Sequence, residues 1–196
     1  MHAVSAIILA GGRGTRMNGA DKGLVQLQQK PLVQHVIERL KPQVDEILLN
    51  ANREIVQYAN FNLPILQDDY PNFIGPLAGF ILGLQHGKHN YLLTTPCDSP
   101  LIPADLVSRL MQSLIKENAD IAVAKSGGHV HPVFCLMKKS VLASLTDFIA
   151  QGNHKVSLWQ KNLAYTEVLF DDCDDAFVNV NTIEELEVLA LKLSND

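Results

Sequence analysis

Ala6-Ile7-Ile8-Leu9 runs directly into Ala10-Gly11-Gly12-Arg13-Gly14-Thr15-Arg16-Met17 and, a few residues later, into Asp21-Lys22-Gly23. A buried strand would deliver this backbone to one edge of a sheet, glycines let main-chain N–H groups approach an anion, and Arg16 and Lys22 bring full positive charge to the same place. The stretch reads as a phosphate loop that carries its own cations.

Two familiar phosphate loops fail on detail. A P-loop ends in Lys followed by Ser or Thr, whose hydroxyl holds Mg²⁺, whereas Lys22 is followed by Gly23. The run from Gly12 to Met17 begins like a dinucleotide fingerprint, but Met17 stands where a small residue should let helix and strand pack closely. The second strand, Glu46-Ile47-Leu48-Leu49, ends in Asn50 rather than in the acid that would bind a ribose diol.

Outward from this loop, apolar runs of strand length alternate with helical periodicity. Residues 4–9, 46–49, 64–66, 91–94, 120–124, 130–137 and 165–169 read as strands. Residues 31–40, 51–58, 77–85, 103–116, 139–149, 154–160 and 183–193 read as helices. In the first helix Leu32, Val36, Ile37 and Leu40 share a face; in the fourth Leu106, Leu110, Leu114 and Ile115 are expected to point inward. Thr182 is a candidate N-cap of the last helix, with Glu185 at its third position. The alternation implies a three-layer α/β/α fold with a mostly parallel sheet, whose ligand crevice lies beyond the C-terminal strand ends. Leu9, Asn50 and Thr95 and the loops after them fall there.

A chain of 196 residues with no linker, repeat or low-complexity tract suits a single domain spanning residues 1–196. The net charge of −5 argues against nucleic acid as a partner. Charge is also uneven. Arg13, Arg16, Lys22 and Lys30 lie early, and Asp171, Asp172, Asp174, Asp175, Glu184, Glu185 and Glu187 lie late, so a local basic pocket would suit a small polyanion. The acidic run 171–175 reads as a solvated loop. Cys97, Cys135 and Cys173 show neither metal-ligand nor redox spacing and read as reduced thiols. With no signal-peptide pattern and no membrane-span-length apolar run, a cytoplasmic protein without membrane contact is expected.

Residues 9–23 resemble the signature loop of nucleotidyltransferases that join a nucleoside monophosphate to a phosphorylated acceptor: Leu9-Ala10-Gly11-Gly12, then Arg16-Met17, a short spacer and Lys22. Further matches follow in order. They are Pro31-Leu32, Asn50-Ala51-Asn52-Arg53, Gly75-Pro76-Leu77-Ala78-Gly79, Thr95-Pro96-Cys97-Asp98-Ser99-Pro100 and Phe177-Val178-Asn179-Val180-Asn181-Thr182. Together they resemble the MobA-like molybdenum cofactor guanylyltransferases, over almost the whole chain. The resemblance implies a Rossmann-like nucleotidyltransferase domain, GTP and molybdopterin as substrates, Mg²⁺ as cofactor, and other molybdenum cofactor biosynthesis proteins as partners.

It also implies roles. Leu9, Ala10, Gly11 and Gly12 would line the nucleotide, and Arg16 and Lys22 would offset phosphate charge as the α-phosphorus is attacked. Asp98 would hold Mg²⁺; the competing reading is an Asp that caps its own turn. Asn50 and Asp68 would contact the guanine nucleotide or serve as a strand-end cap and a turn residue. Gly75 and Gly79 would bring a helix N-terminus to the ligand or pack the helix on the sheet. Asn179 and Asn181 alternate along an extended segment, share a face and would sit on the acceptor side, Asn181 near the metal, or tie a strand to the last helix. His129 and His131 have the spacing of a two-histidine site, but a structural role is the stronger reading; Gly152, Lys155 and Val156 are weaker candidates for the acceptor pocket.

The nearest rival is a pterin cytidylyltransferase, which generally carries L-A-A-G where this chain has Leu9-Ala10-Gly11-Gly12. Sugar-phosphate nucleotidyltransferases usually have a longer loop and a larger C-terminal region. A non-catalytic adaptor would be expected to lack Lys22 or Asp98, and both are present. The chain departs from the family at Asn18 and Gln29, where glycine is common; Asn tolerates a left-handed backbone, and Gln29 puts a turn in question.

Overall fold

The computed structural model describes residues 2–12, 21–68 and 74–193. Its strands are β1 (Val4–Leu9), β2 (Gln26–Leu27), β3 (Lys30–Pro31), β4 (Glu46–Asn50), β5 (Ile65–Leu66), β6 (Tyr91–Pro96), β7 (Ile121–Ser126), β8 (His129–Lys138) and β9 (Tyr165–Leu169). Its α-helices are α1 (Leu32–Leu40), α2 (Ile55–Tyr58), α3 (Pro76–His86), α4 (Leu106–Lys116), α5 (Leu142–Ala150), α6 (Val156–Gln160) and α7 (Ile183–Leu193).

β1 is apolar on both faces, so it must be sandwiched. Ala6 and Ile8 join a buried cluster with Val33, Val36 and Leu40 of α1 and Leu106, Leu110 and Leu114 of α4. Ile7, pointing the other way, joins Leu77, Phe80 and Leu84 of α3, Leu145 and Phe148 of α5 and Trp159 of α6. These two clusters make the outer layers of the expected α/β/α arrangement. Helix α7 sits apart, with Leu186, Leu189 and Leu193 against Leu27, Leu32 and Val180.

The main sheet has the order β5-β4-β1-β6-β8-β7-β9. β4 and β6 flank β1 in parallel, placing Ile7 opposite Leu48 and Thr94, and β5 extends β4 in parallel. β8 alone runs against its neighbours β6 and β7, and β9 is again parallel to β7. The chain therefore moves outward from β1 through β4 to β5, then crosses to the opposite side of β1 for β6. This reversal opens a crevice at the C-terminal ends of β1 and β6.

The long periodic elements match the sequence reading, and the differences have local causes. Helix α2 was expected over 51–58 but begins only at Ile55, because Glu54 has a left-handed backbone (φ 50°) and the preceding Asn52 and Arg53 turn toward the crevice. Ile115 was expected to face inward and is 50% exposed; it lies about 100° around α4 from Leu114, while Val107 completes the buried stripe. In the acidic run 171–175, Asp171, Asp172 and Asp175 are exposed, as a solvated loop would have them, and each also has a partner: Asp171 accepts from Gly127 N–H (3.0 Å), Asp172 pairs with Arg109 (2.9 Å) and Asp175 pairs with Lys192.

The β2–β3 ribbon was not anticipated. Gln28 and Gln29 both carry positive φ, 49° and 65°, as a two-residue turn of mirror-image type demands and as glycine would adopt without strain. Gln29 is therefore the strained residue of the departure noted above. Gln29→Gly is expected to stabilise the protein by about 0.5–1 kcal/mol, measured as a raised urea midpoint with an unchanged slope.

Candidate active site

Three strand ends meet at the crevice and are stitched by backbone: Ala10 N–H donates to Asn50 O (2.8 Å) and Cys97 N–H donates to Leu9 O (3.2 Å). Leu9, Ala10 and Gly11 thus lie between Asn50 on one side and Cys97-Asp98 on the other. Gly12 is exposed, and its carbonyl accepts from the Arg53 guanidinium at 2.9 Å. Arg13 and Arg16 lie outside the described residues.

Lys22 reaches into this crevice from a short 3₁₀ turn, Lys22–Leu24, capped by Asp21, whose Oδ1 accepts the Gly23 N–H at 3.2 Å. Its ammonium donates to Asn181 Oδ1 at 2.5 Å and to Asp98 Oδ2 at 3.3 Å. Asp98 is only 6% exposed. Burial pushes its carboxyl above the usual carboxylate range, and the Lys22 ammonium pulls it part of the way back.

The C-terminal segment is laid across the Asp98 turn. Val180 N–H donates to Asp98 O at 2.9 Å, and Ser99 Oγ donates to Asn179 Oδ1 at 2.6 Å. Glu185 Oε2 accepts from Asn181 N–H (2.6 Å) and Thr182 N–H (3.2 Å), while Thr182 Oγ1 accepts from Glu185 N–H (3.1 Å). This is the expected capping box, and here it also fixes the residue that holds Lys22. Asn179 and Asn181 therefore both face the Asp98–Ser99 turn.

On the opposite wall, Asn50 is buried and its Nδ2 donates to Leu66 O at 3.2 Å, so its donor half is committed to the strand end. Its Oδ1 lies under Gly11 and Gly79, 3.1 Å and 2.8 Å from where a Cβ would stand on each. A side chain at Gly79 would also overlap Leu9, so this glycine packs α3 against the sheet. Gly75, the N-cap of α3, has φ 65°, and among the described residues no atom lies within 4 Å of where its Cβ would stand. Asp68 is half-buried just beyond β5, and its N–H donates to Asn52 Oδ1 at 3.0 Å. Asn52, Arg53 and Ser99 lie in the motifs quoted above, yet sequence assigned them no role, because each acts through a partner distant in the chain.

His129 is exposed, whereas the His131 ring stacks on Phe177 (4.8 Å between centroids) and its Nε2 lies 2.9 Å from Ser126 Oγ. Burial lowers its pKa. His131 thus has structural partners, and Val156 is buried in the cluster that includes Trp159. Among the described residues no group of three or more His, Cys, Asp or Glu could hold a metal ion.

Comparison with known proteins agrees with this geometry. The MobA-like NTP transferase domain matches residues 6–168. A molybdenum cofactor guanylyltransferase from Polynucleobacter asymbioticus is 48% identical over 194 residues, covering 97% of both chains. One from Shewanella putrefaciens is 46% identical over 188 residues, covering 96% of both. Among solved structures, molybdopterin-guanine dinucleotide biosynthesis protein A from Archaeoglobus fulgidus superposes with a TM-score of 0.81 at 21% identity, covering 98% of this chain and 100% of that one. A 4-diphosphocytidyl-2C-methyl-D-erythritol synthase from Anaerococcus prevotii shares the fold with a TM-score of 0.75 at 13% identity, covering 98% and 99%.

Since Lys22 is the cation that lowers the Asp98 pKa, Lys22→Ala is expected to move the Asp98 titration to higher pH. Carboxyl-carbon NMR of the two proteins checks this; an unmoved titration would separate the two groups.

Proposed function

We infer the reaction from a single premise: the chain belongs to the MobA-like NTP transferase family. It is a nucleotidyltransferase of molybdenum cofactor biosynthesis that transfers GMP from GTP to the terminal phosphate of molybdopterin and releases pyrophosphate. The observation that carries this reading is the meeting of Lys22, Asp98 and Asn181 at the sheet's switch point, beside the Leu9-Ala10-Gly11-Gly12 loop.

In this reading Gly11 and Gly12 offer main-chain N–H groups to the triphosphate, and Arg16 and Lys22 offset its charge. Charge builds on phosphoryl oxygens as the α-phosphorus is attacked, so fixed cations favour the transition state over the ground state. Guanine presents N–H donors on its pairing edge. Asn50 Oδ1, whose amide nitrogen is already committed to Leu66 O, and the Asp68 carboxylate supply matching acceptors. A methyl group at Gly11 would press on the Asn50 and Asn52 amides, which supports the guanine assignment over cytosine. Gly75 opens the N-terminus of α3 to the ligand, and Asn179 and Asn181 face the acceptor.

Nucleotidyltransferases generally use a divalent metal. Asp98 fits Mg²⁺: it is a buried oxygen donor that, among the described residues, meets one cation, and Mg²⁺ needs few protein ligands. Mg²⁺ bound there would neutralise phosphate oxygens and polarise the α-phosphoryl group. The acceptor phosphate monoester, with a second pKa of about 6, is largely dianionic at neutral pH. It can attack without a general base. Its oxygen bonds to the α-phosphorus as the bond to the β-phosphate oxygen breaks, and this chain's residues supply positioning and charge. A cytoplasmic location is supported by the free thiols of Cys97, Cys135 and Cys173, and among the described residues no helix is long and apolar enough to cross a membrane.

Pyrophosphate release with Mg²⁺ is expected from GTP only when molybdenum-loaded molybdopterin is present; a preference for CTP would overturn the base assignment. Asp98→Asn is expected to cut turnover about a hundredfold or more. Its effect on stability has the opposite sign. A carboxyl raised in the folded state stabilises below its unfolded pKa and loses that contribution as pH rises through the folded pKa, so at neutral pH the ionised form is a cost. The melting temperature of Asp98→Asn is therefore expected to equal or exceed that of the parent at pH 7.

A further inference from the structure

We propose that Tyr58 is the positioning residue for Lys22: its buried hydroxyl holds Asp21, and through Asp21 the turn that brings the Lys22 ammonium to Asp98. This rests on the reading in which Lys22 serves the phosphates.

Tyr58 ends helix α2 and is fully buried. Its hydroxyl donates to Asp21 Oδ1 at 2.5 Å, and the same oxygen accepts the Gly23 N–H at 3.2 Å. One carboxylate oxygen thus joins the core to the cap of the turn Lys22–Leu24. The turn also sits in a notch made for glycine. A Cβ at Gly23 would overlap the Tyr58 hydroxyl and lie 3.2 Å from Cys97 Sγ, and Cys97 is the residue before Asp98. The turn is therefore keyed to both Tyr58 and the Asp98 strand end.

Packing alone does not call for this hydroxyl. The Tyr58 ring contacts Phe61, with centroids 6.1 Å apart, and a phenylalanine would fill the same space. A buried hydroxyl must find a partner, and an ionised carboxylate gives it a strong one. Burial and the neighbouring acidic groups hold Tyr58 in its protonated form, so it remains a donor. Lysine carries a point charge on a flexible stem, so the placement of its Cα decides where that charge spends its time. Tyr58 also follows Asn52 and Arg53, which brace Asp68 and Gly12, so one short segment frames both the base side and the phosphate side of the crevice.

The test is Tyr58→Phe, read in two ways. Lys22 reactivity toward an amine-acylating ester, quantified by peptide mass spectrometry, is expected to rise several-fold. The kcat is expected to fall about ten- to a hundredfold while KM for GTP stays within about twofold, with no further loss when the change is added to Lys22→Ala. Asp21→Ala, which leaves the Tyr58 ring and its apolar packing in place while removing the hydroxyl's partner, is expected to give the same rise in labelling and serves if Tyr58→Phe folds poorly. Unchanged Lys22 labelling in either variant, or equal losses of kcat with and without Lys22, would overturn the proposal. Failure of the parent protein to turn over GTP would instead count against guanylyl transfer, and the labelling ratio would still decide the brace.

Discussion

The contact between the Asp98 carboxylate and the Lys22 ammonium organises the rest of this molecule. A carboxylate at the buried end of a central strand is unfavourable unless a cation and hydrogen bonds answer it. Lys22 answers the charge from one side. On the other side a segment near the C-terminus crosses the turn and fixes its backbone: Val180 N–H donates to the Asp98 main-chain carbonyl, and Asn179 Oδ1 accepts from Ser99 Oγ. Asn181 closes the arrangement by accepting from Lys22, and a helix cap holds Asn181 in place. The partners of Lys22 are 76 and 159 residues away in the chain. A single ion pair thus ties the first strand's loop, the central strand and the last helix to one point.

That point lies where it does because of the sheet. Parallel strands send their C-terminal loops to one edge, and the reversal of order across β1 leaves a gap between the β1 and β6 loops rather than a closed row. Backbone bonds from Ala10 and Cys97 fix the depth of the gap, so the glycine loop and Asp98 face each other across it. The molybdopterin-guanine dinucleotide biosynthesis protein A from Archaeoglobus fulgidus and the 4-diphosphocytidyl-2C-methyl-D-erythritol synthase from Anaerococcus prevotii share this fold. On one wall Asn50 and Asn52 lie close beneath Gly11, their amides 3.1 Å and 3.0 Å from where a Cβ would stand, and Asn52 in turn accepts the Asp68 N–H.

Elements with long, regular hydrophobic patterns were legible because burial imposes the period. β1, β9 and α7 have the bounds that their patterns predicted, and the capping box at Thr182 and Glu185 formed as written. Short pieces were not legible. The two-residue strands β2 and β3 carry no period, and their turn uses glutamines in a conformation that points to glycine. Ile115 has the right composition for the core and the wrong angle. Helix α2 starts late because the residues before it are committed to tertiary contacts.

The candidate site divides along the same line. Sequence alone determined the α/β class, the roles open to the Leu9–Gly12 loop, Lys22 and Asp98, and the family, since these depend on local pattern and on motifs in a fixed order. Only the tertiary structure decided that the Asn50 amide is half committed to Leu66, that Gly79 packs α3 on Leu9, that His131 stacks on Phe177, and that Asn181 accepts from Lys22. It also brought Tyr58 to Asp21. The physical reason is that a residue's type limits the bonds it can make, while the bond it does make depends on which distant group the fold places within hydrogen-bonding reach.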